Sequence, residues 1–141
     1  MSAGKFLYSH RVTYADCTVG NHIYYSRYFD LLEAARGEMF RHLGVTFLQW
    51  QTQDSVFPVI ECRVRYKAPA RYDDVLGIEL WATAAERIRL NFAYQIRNQA
   101  EDLILEAGTQ HVCTSVQGEP KRLPEELVKS LQPYLTASVS K

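Results

Sequence analysis

The chain has 141 residues, which suits a single domain that buries about two-thirds of the surface of its unfolded chain. Its 16 basic and 16 acidic side chains cancel to a formal net charge of zero, which excludes polyanion binding driven by overall charge but not by a local basic patch. Hydrophobic residues make up 47% and charged residues 23%, a globular composition that excludes an intrinsically disordered chain.

Nothing in the sequence predicts a membrane span or a secretory signal. No apolar run approaches about 20 residues, the length that a spanning helix needs. Residues 1–10 lack a basic stretch followed by an apolar one. The cysteines Cys17, Cys62 and Cys113 are odd in number and form no CxxC pair, so we expect a cytoplasmic protein without disulfides or a metal site. Cys62 and Cys113 lie in apolar strand patterns, where we expect them to be buried.

The N-terminal half alternates a strand, a break and a helix. Residues 6–14 are β-prone, and residues 16–21 are dense in turn formers. Residues 26–43 are predicted to form a helix, and Gly44 follows it as a stop signal. The helix pattern is an apolar stripe with steps of three and four residues, formed by Tyr28, Leu32, Ala35, Met39 and Leu43.

The C-terminal half is predicted to be mostly strands. Four apolar patterns of strand period follow the helix, at residues 57–67, 75–84, 87–97 and 103–116. Gly108 indicates a bend or bulge in the last of them, and Pro124 opens a short helix over residues 124–135. One helix segregated from a run of strands predicts an α+β fold with a five-stranded antiparallel sheet packed on that helix. The other face of the sheet then needs a cover, which favours an oligomer.

The junction between the first strand and the helix gathers reactive side chains. Asp16, Cys17, Thr18 and His22 lie within it. The N–H groups and the positive dipole end of a helix N-terminus can stabilise an oxyanion, and a nearby Asp or His can serve as a base. The alternative is a plain turn, in which Asp16 accepts hydrogen bonds from local N–H groups.

The same junction resembles the signature of a known family. The matching positions are Tyr14, Asp16, Thr18, Asn21, His22, Ile23, Tyr24, Tyr28, Glu33, Ala35 and Arg36. Residues 65–74 and 118–124 continue the likeness, which therefore covers nearly the whole chain. The chain is similar to hotdog-fold acyl-CoA thioesterases of the 4-hydroxybenzoyl-CoA thioesterase type.

The resemblance implies one hotdog domain over residues 1–141, with the five-stranded antiparallel sheet wrapped around the long helix and a short C-terminal helix. It implies hydrolysis of an acyl-CoA thioester to a free acid and coenzyme A, with coenzyme A as part of the substrate and no separate cofactor. It also implies a homodimer or homotetramer with sites between subunits, and no nucleic-acid partner. The backbone N–H groups of Tyr24 and Tyr25 are the implied oxyanion donors.

One departure from the family pattern leaves the catalytic base open. Thr18 stands where the family has its usual catalytic Asp, and a threonine hydroxyl is no general base near neutral pH. Asp16 could have taken the role, or His22 could activate a water that Asp16 or Thr18 orients. The protein could also bind a thioester without hydrolysing it. Asn21 replaces a family Gly, a mild change because Asn tolerates left-handed backbone angles.

Other candidates have weaker patterns. Glu33 could reach the site from the helix or pair with Arg36 on a solvated face. Cys17 could be a nucleophile, although strand alternation points it away from Asp16 and Thr18. Aromatic residues that could line an acyl pocket, or simply lie in the core, are Phe29, Phe47, Trp50 and Phe57. Arginines that could bind the phosphates of coenzyme A are Arg87 and Arg89. The histidines predicted to be structural are His10, His42 and His111.

Overall fold

The computed structural model describes residues 4–136, which form a five-stranded antiparallel sheet around a long helix. The strands of the chain are β1 Phe6–Arg11, β2 Cys17–Thr18, β3 His22–Ile23, β4 Val59–Tyr66, β5 Val75–Glu86, β6 Arg89–Arg97 and β7 Leu103–Val112. The main sheet has the order β1-β5-β6-β7-β4, and β2 pairs only with β3. The predicted α+β architecture is confirmed.

Three α-helices and three short 3-10 turns accompany the strands within residues 4–136. They are α1 Tyr28–Leu43, α2 Phe47–Thr52 and α3 Glu125–Leu131, with 3-10 turns at Tyr14–Asp16, Tyr25–Arg27 and Gln132–Tyr134. Within residues 4–136, none of these helices is long and apolar enough to cross a membrane.

The apolar stripe of α1 forms the centre of the core. Its buried members are Tyr28, Leu31, Leu32, Ala35, Met39 and Phe40. Met39 and Phe40 are fully buried, and each such side chain stabilises the fold by about 1.5–3 kcal/mol relative to an exposed one. Gly44 ends the helix in a left-handed conformation, with φ of 105°, and its N–H donates to the carbonyls of Phe40 and Arg41.

Several predicted boundaries shift because short turns interrupt the pattern. The first strand ends at Arg11 rather than at residue 14, since Thr13 and Asp16 cap a 3-10 turn. The helix begins at Tyr28 rather than at residue 26, because residues 25–27 form another 3-10 turn. The last strand ends at Val112, and the terminal helix ends at Leu131 before a 3-10 turn.

One helix was not predicted from the sequence, and one predicted bulge is not formed. Sequence analysis missed α2, although Thr46 and Gln49 form a capping box: the Gln49 N–H donates to Thr46 Oγ1 at 3.2 Å, and the Thr46 N–H donates to Gln49 Oε1 at 2.7 Å. The expected bulge at Gly108 is wrong, because β7 pairs in register through Gly108 with both β4 and β6.

The edge strand β4 is mostly exposed within the single chain. Ile60 is 53% exposed and Tyr66 is 46% exposed. Cys62 is also exposed, so its predicted burial is wrong, whereas Cys113 is fully buried as predicted. The difference arises because β4 is the last strand of the sheet and pairs on one side only, with β7.

We expect the two glycines of this helix to respond oppositely to alanine. Gly44→Ala should destabilise the protein by about 1 kcal/mol, because a Cβ at φ of 105° is strained. Gly37→Ala should stabilise it by up to about 1 kcal/mol, since Gly37 lies inside α1 and an added Cβ meets nothing closer than Phe47 Cε2 at 4.0 Å. Urea unfolding of both variants measures the difference, and changes of the same sign would contradict this assignment of the helix end.

Candidate functional site

The loop between β1 and α1 is fastened to residues 70–74. The Val12 N–H donates to the Asp74 carbonyl at 2.8 Å, and the Ile23 N–H donates to the Ala70 carbonyl at 2.9 Å. Asn21, in a left-handed conformation with φ of 59°, accepts through its side chain from the Tyr72 N–H at 3.2 Å. This explains how Asn serves where the family pattern has Gly.

The Asp16 side chain makes hydrogen bonds that stabilise this loop. Its Oδ2 accepts from the Thr13 N–H at 2.9 Å and lies 2.9 Å from His10 Nε2. Burial raises the pKa of Asp16, but the hydrogen bonds from Thr13 and His10 outweigh that effect and leave the pKa below its ordinary value. The geometry therefore gives Asp16 the turn-capping role, and makes its carboxylate a weak base.

A cleft of about 500 Å³ opens beside the first helical turn. Its lining residues are Thr18, His22, Ile23, Tyr24, Tyr25, Tyr28, Tyr66, Lys67, Ala68 and Pro69. Four of the predicted site residues meet here, namely Thr18, His22, Tyr24 and Tyr25, whereas Asp16 is not part of the wall. No role was predicted for Tyr66, although it lies in the family-like segment.

One ring nitrogen of His22 contacts the backbone, and the other does not share that contact. His22 Nδ1 lies 3.2 Å from the Ile23 carbonyl oxygen, which can only accept, so Nδ1 carries the proton. In the neutral ring, Nε2 is then the nitrogen that can accept a proton. Gly20 lies against this side of the ring, since a Cβ built there would stand 3.5 Å from Nε2. His22 and Thr18 are directly opposite each other in the β2–β3 pair.

Only one of the two predicted oxyanion donors is available. The Tyr24 N–H donates to the Asp16 carbonyl at 3.2 Å, so it cannot serve an oxyanion as expected. Tyr25 opens the 3-10 turn that runs directly into α1. The first N–H groups of a helical segment have no acceptor within it, and they carry the positive end of its dipole. Of the two predicted donors, the Tyr25 N–H is therefore the one that remains a candidate.

Two tyrosines of the cleft wall are neutral. Burial raises the pKa of Tyr28 to about 12 and also raises that of Tyr66. The Tyr66 hydroxyl donates to the Tyr25 carbonyl at 3.1 Å, which ties β4 to the helix start. These phenols shape the cleft and are not bases at neutral pH.

Cys17 is not placed as a nucleophile. Its Sγ donates to the Thr13 carbonyl at 3.6 Å and does not line the cleft. Burial, together with the charges of Asp16 and Asp74, raises the pKa of its thiol. A thiol rather than a thiolate is the form present near neutral pH.

Glu33 and Arg36 line a second cavity, of about 360 Å³. Its other walls are Phe47, Gln51, Val56, Phe57 and Pro58. The expected Glu33–Arg36 ion pair is not formed, because the Arg36 guanidinium donates instead to the Tyr94 hydroxyl at 3.0 Å. Of the four aromatic candidates, Phe47 and Phe57 line this cavity, Trp50 is buried and Phe29 is 44% exposed.

Arg87 and Arg89 are not brought to the cleft. They lie at the turn between β5 and β6, whereas Val75 begins β5 beside the loop. Because β5 is 12 residues long, the arginines lie at the opposite end of this strand from the loop. Lys67 is the cation that lines the cleft, with Glu106 Oε1 3.9 Å from its Nζ. Between residues 4 and 136, no three His, Cys, Asp or Glu side chains are grouped to hold a metal ion.

Comparison with known proteins covers most of the chain. Residues 12–131 match the family model described as the thioesterase-like superfamily. The chain is 33% identical over 129 residues to the acyl-CoA thioester hydrolase YbgC of Escherichia coli, covering 91% of this chain and 96% of the relative.

Solved structures show the same fold. A hypothetical protein from Aquifex aeolicus gives a TM-score of 0.85 at 25% identity and covers 90% of this chain and 99% of its own. A 1,4-dihydroxy-2-naphthoyl-CoA thioesterase from Synechocystis gives a TM-score of 0.84 at 22% identity and covers 90% of this chain and 95% of its own. The match to the family model includes every residue of the cleft, and the chain belongs to the thioesterase-like superfamily with its hotdog fold.

Proposed function

We propose that the protein is an acyl-CoA thioesterase that hydrolyses a thioester to a free acid and coenzyme A. The observation that carries this proposal is that His22, whose Nδ1 contacts the Ile23 carbonyl and leaves Nε2 free of that contact, lines the same cleft as Tyr25 at the helix start. The relative in Escherichia coli, whose name gives acyl-CoA thioester hydrolysis, supports it. The absence of a membrane-spanning helix among residues 4–136 is compatible with a cytoplasmic enzyme.

The cleft supplies the parts that hydrolysis needs. The thioester carbonyl oxygen accepts from the Tyr25 N–H, and the Thr18 hydroxyl orients a water molecule. His22 Nε2 removes a proton from this water as its oxygen forms a bond to the carbonyl carbon. The tetrahedral intermediate collapses, the carbon–sulfur bond breaks, and the imidazolium of His22 returns its proton to the departing thiolate. The acid and the free thiol are the products.

Asp16 acts on this chemistry indirectly. Its carboxylate holds the Thr13–Asp16 turn, and its carbonyl accepts from the Tyr24 N–H. Both bonds fix the path of the chain that carries Thr18 and His22. Asp16 is therefore a positioning residue in this proposal.

The exposed side chains of the edge strand β4 favour a homodimer formed along this strand. Antiparallel pairing of β4 with its own copy would place the Tyr66 end of one strand beside the Val59 end of the other. The cleft of one protomer would then approach the second cavity of its partner. A tetramer requires a further contact through the outer face of the sheet.

A second candidate function is thioester binding without hydrolysis. The observation in its favour is Thr18, which leaves the cleft wall without the carboxylate that is usual in the family. This candidate requires His22 to be only structural.

We expect His22→Ala to lower kcat by about 100-fold or more, which is the smaller end of what general-base catalysis contributes. The assay is steady-state release of coenzyme A from acyl-CoA. His42→Ala is the matched control, because His42 lies in the last turn of α1 and contacts Phe6 and Tyr134. A His22→Ala variant as active as the control would refute the assigned base.

A carboxylate at position 18 should rescue the loss of the histidine. Because Thr18 and His22 are cross-strand neighbours in one cleft, Thr18→Asp added to His22→Ala should raise kcat by about tenfold or more over His22→Ala alone. Thr18→Asn is the isosteric control without a base. Rescue by both changes, or by neither, would show that position 18 does not face the reacting water.

If β4 forms the dimer interface, a charge introduced on β4 should weaken the dimer. Ile60→Lys places a charge on the exposed edge strand and should shift the mass measured by light scattering from dimer to monomer. Leu48→Lys changes an even more exposed side chain, 67% accessible on α2, and should leave the mass unchanged. A wild-type monomer at high micromolar concentration would contradict the assembly.

A further inference from the structure

The second cavity, lined by Glu33, Arg36 and the aromatic residues Phe47 and Phe57, has no part in the hydrolysis just described. It lies farther along α1 than the cleft, since Arg36 is about 12 Å along the helix axis from Tyr28 of the cleft wall at 1.5 Å of rise per residue. Apart from Glu33, Arg36 and Gln51 its walls are apolar. An elongated acyl group could therefore place its hydrocarbon among these rings.

Arg36 brings to this cavity a positive charge that forms no ion pair within residues 4–136, although Glu33 lines the same cavity. The residue is half-buried, and its guanidinium donates a hydrogen bond to the Tyr94 hydroxyl at 3.0 Å. None of the ion pairs within residues 4–136 includes Arg36, whereas Arg41 on the same helix pairs with Glu38 at 3.7 Å. A partly buried cation without a counter-ion favours an anionic ligand.

A chain of hydrogen bonds in the core fixes the orientation of this guanidinium. His111 Nδ1 lies 2.9 Å from the Phe57 carbonyl, which only accepts, so Nδ1 carries the proton. His111 Nε2 must then accept from the Thr109 hydroxyl, at 2.9 Å. Thr109 in turn accepts from the Tyr94 hydroxyl, at 2.7 Å. The Tyr94 oxygen is left to accept from Arg36, so all donors in the chain point one way.

This chain holds Arg36 without neutralising it. Burial and the Arg36 charge lower the pKa of His111 to about 4, against the hydrogen bond to Phe57 that raises it. Burial also raises the pKa of Tyr94. Near neutral pH the histidine and the tyrosine are both uncharged, and the single charge of the network is the guanidinium that faces the cavity.

We propose that the second cavity binds a carboxylate carried at the far end of the acyl group, with Arg36 as its anchoring residue. This rests on the proposed thioesterase function and names its substrate class, an acyl-CoA whose acyl group ends in a carboxylate. Guanidinium nitrogens not used by Tyr94 donate to the carboxylate, and Phe47 and Phe57 pack on the carbon chain. Tyr94 is a positioning residue for Arg36.

Glu33 should affect the binding of a carboxylate in the opposite direction to Arg36. Its carboxylate also lines the cavity and is exposed, so it repels a bound anion. Removing the charge of Glu33 should therefore strengthen binding of a carboxylate, whereas removing the charge of Arg36 should weaken it. A purely structural role of the two residues predicts no such pair of opposite effects.

The first experiment measures kcat/KM on acyl-CoA pairs of equal carbon number, with and without a terminal carboxylate. The pairs are adipyl- and hexanoyl-CoA, suberyl- and octanoyl-CoA, and sebacyl- and decanoyl-CoA. At the length that reaches the cavity, the wild type should favour the carboxylate by about tenfold, the effect of one charge-assisted hydrogen bond. Arg36→Met should abolish this ratio, Glu33→Gln should raise it, and Tyr94→Phe should reduce it through KM. Arg41→Met, which removes a charge elsewhere on α1, should leave it unchanged.

The second experiment separates failure of this inference from failure of the proposed function. Calorimetry compares hydrocinnamate with its neutral amide, hydrocinnamide, on the wild type and on Arg36→Met. The inference is supported if the wild type binds hydrocinnamate more tightly than hydrocinnamide and Arg36→Met does not. This holds even if no acyl-CoA is hydrolysed. Equal binding of the acid and the amide overturns the inference, and so does a preference for the acid that remains in Arg36→Met. If octanoyl-CoA is still hydrolysed in that case, the proposed thioesterase function holds and only the carboxylate site fails.

Discussion

The site depends on the hydrogen bonds that Asp16 makes within the turn from β1 to α1. The Asp16 carboxylate caps the turn at Thr13 and meets His10, and its carbonyl accepts from Tyr24. These bonds set where the first helical turn begins, and so where the Tyr25 N–H points. They also fix β2 and β3, which hold Thr18 opposite His22. A carboxylate used in this way stabilises the loop in its ionised form and is poorly suited to take a proton from water.

Much of the fold followed from periodicity and from residues with special backbone geometry. The α1 stripe and its stop at Gly44 were predictable because helical spacing and a left-handed glycine leave a clear pattern. The short helix α2 was missed because six residues give too little periodicity, and only the Thr46–Gln49 capping box marked it. Cys62 was misjudged because an edge strand has the same apolar pattern as a central one, and nothing local tells which strand lies at the edge of the sheet.

The sequence predicted which residues line the candidate site, but not the role of each residue. Thr18, His22, Tyr24 and Tyr25 were recognisable from the family-like segment, yet the choice between Asp16 and His22 depends on hydrogen bonds that no spacing reveals. The same holds for Arg36, whose partner Tyr94 is 58 residues away in the chain. A helical i,i+3 pattern pointed to Glu33 instead, because local spacing ranks near neighbours ahead of distant ones.

The central claim is hydrolysis of an acyl-CoA thioester in the cleft beside the start of α1. The most direct measurement follows release of free thiol from a panel of aliphatic and aromatic acyl-CoAs by the wild-type protein, with the acid product quantified in parallel. Sustained turnover with equal amounts of thiol and acid is the predicted result. Binding of the thioesters without release of thiol would contradict the claim and leave a protein that holds acyl-CoA without cleaving it.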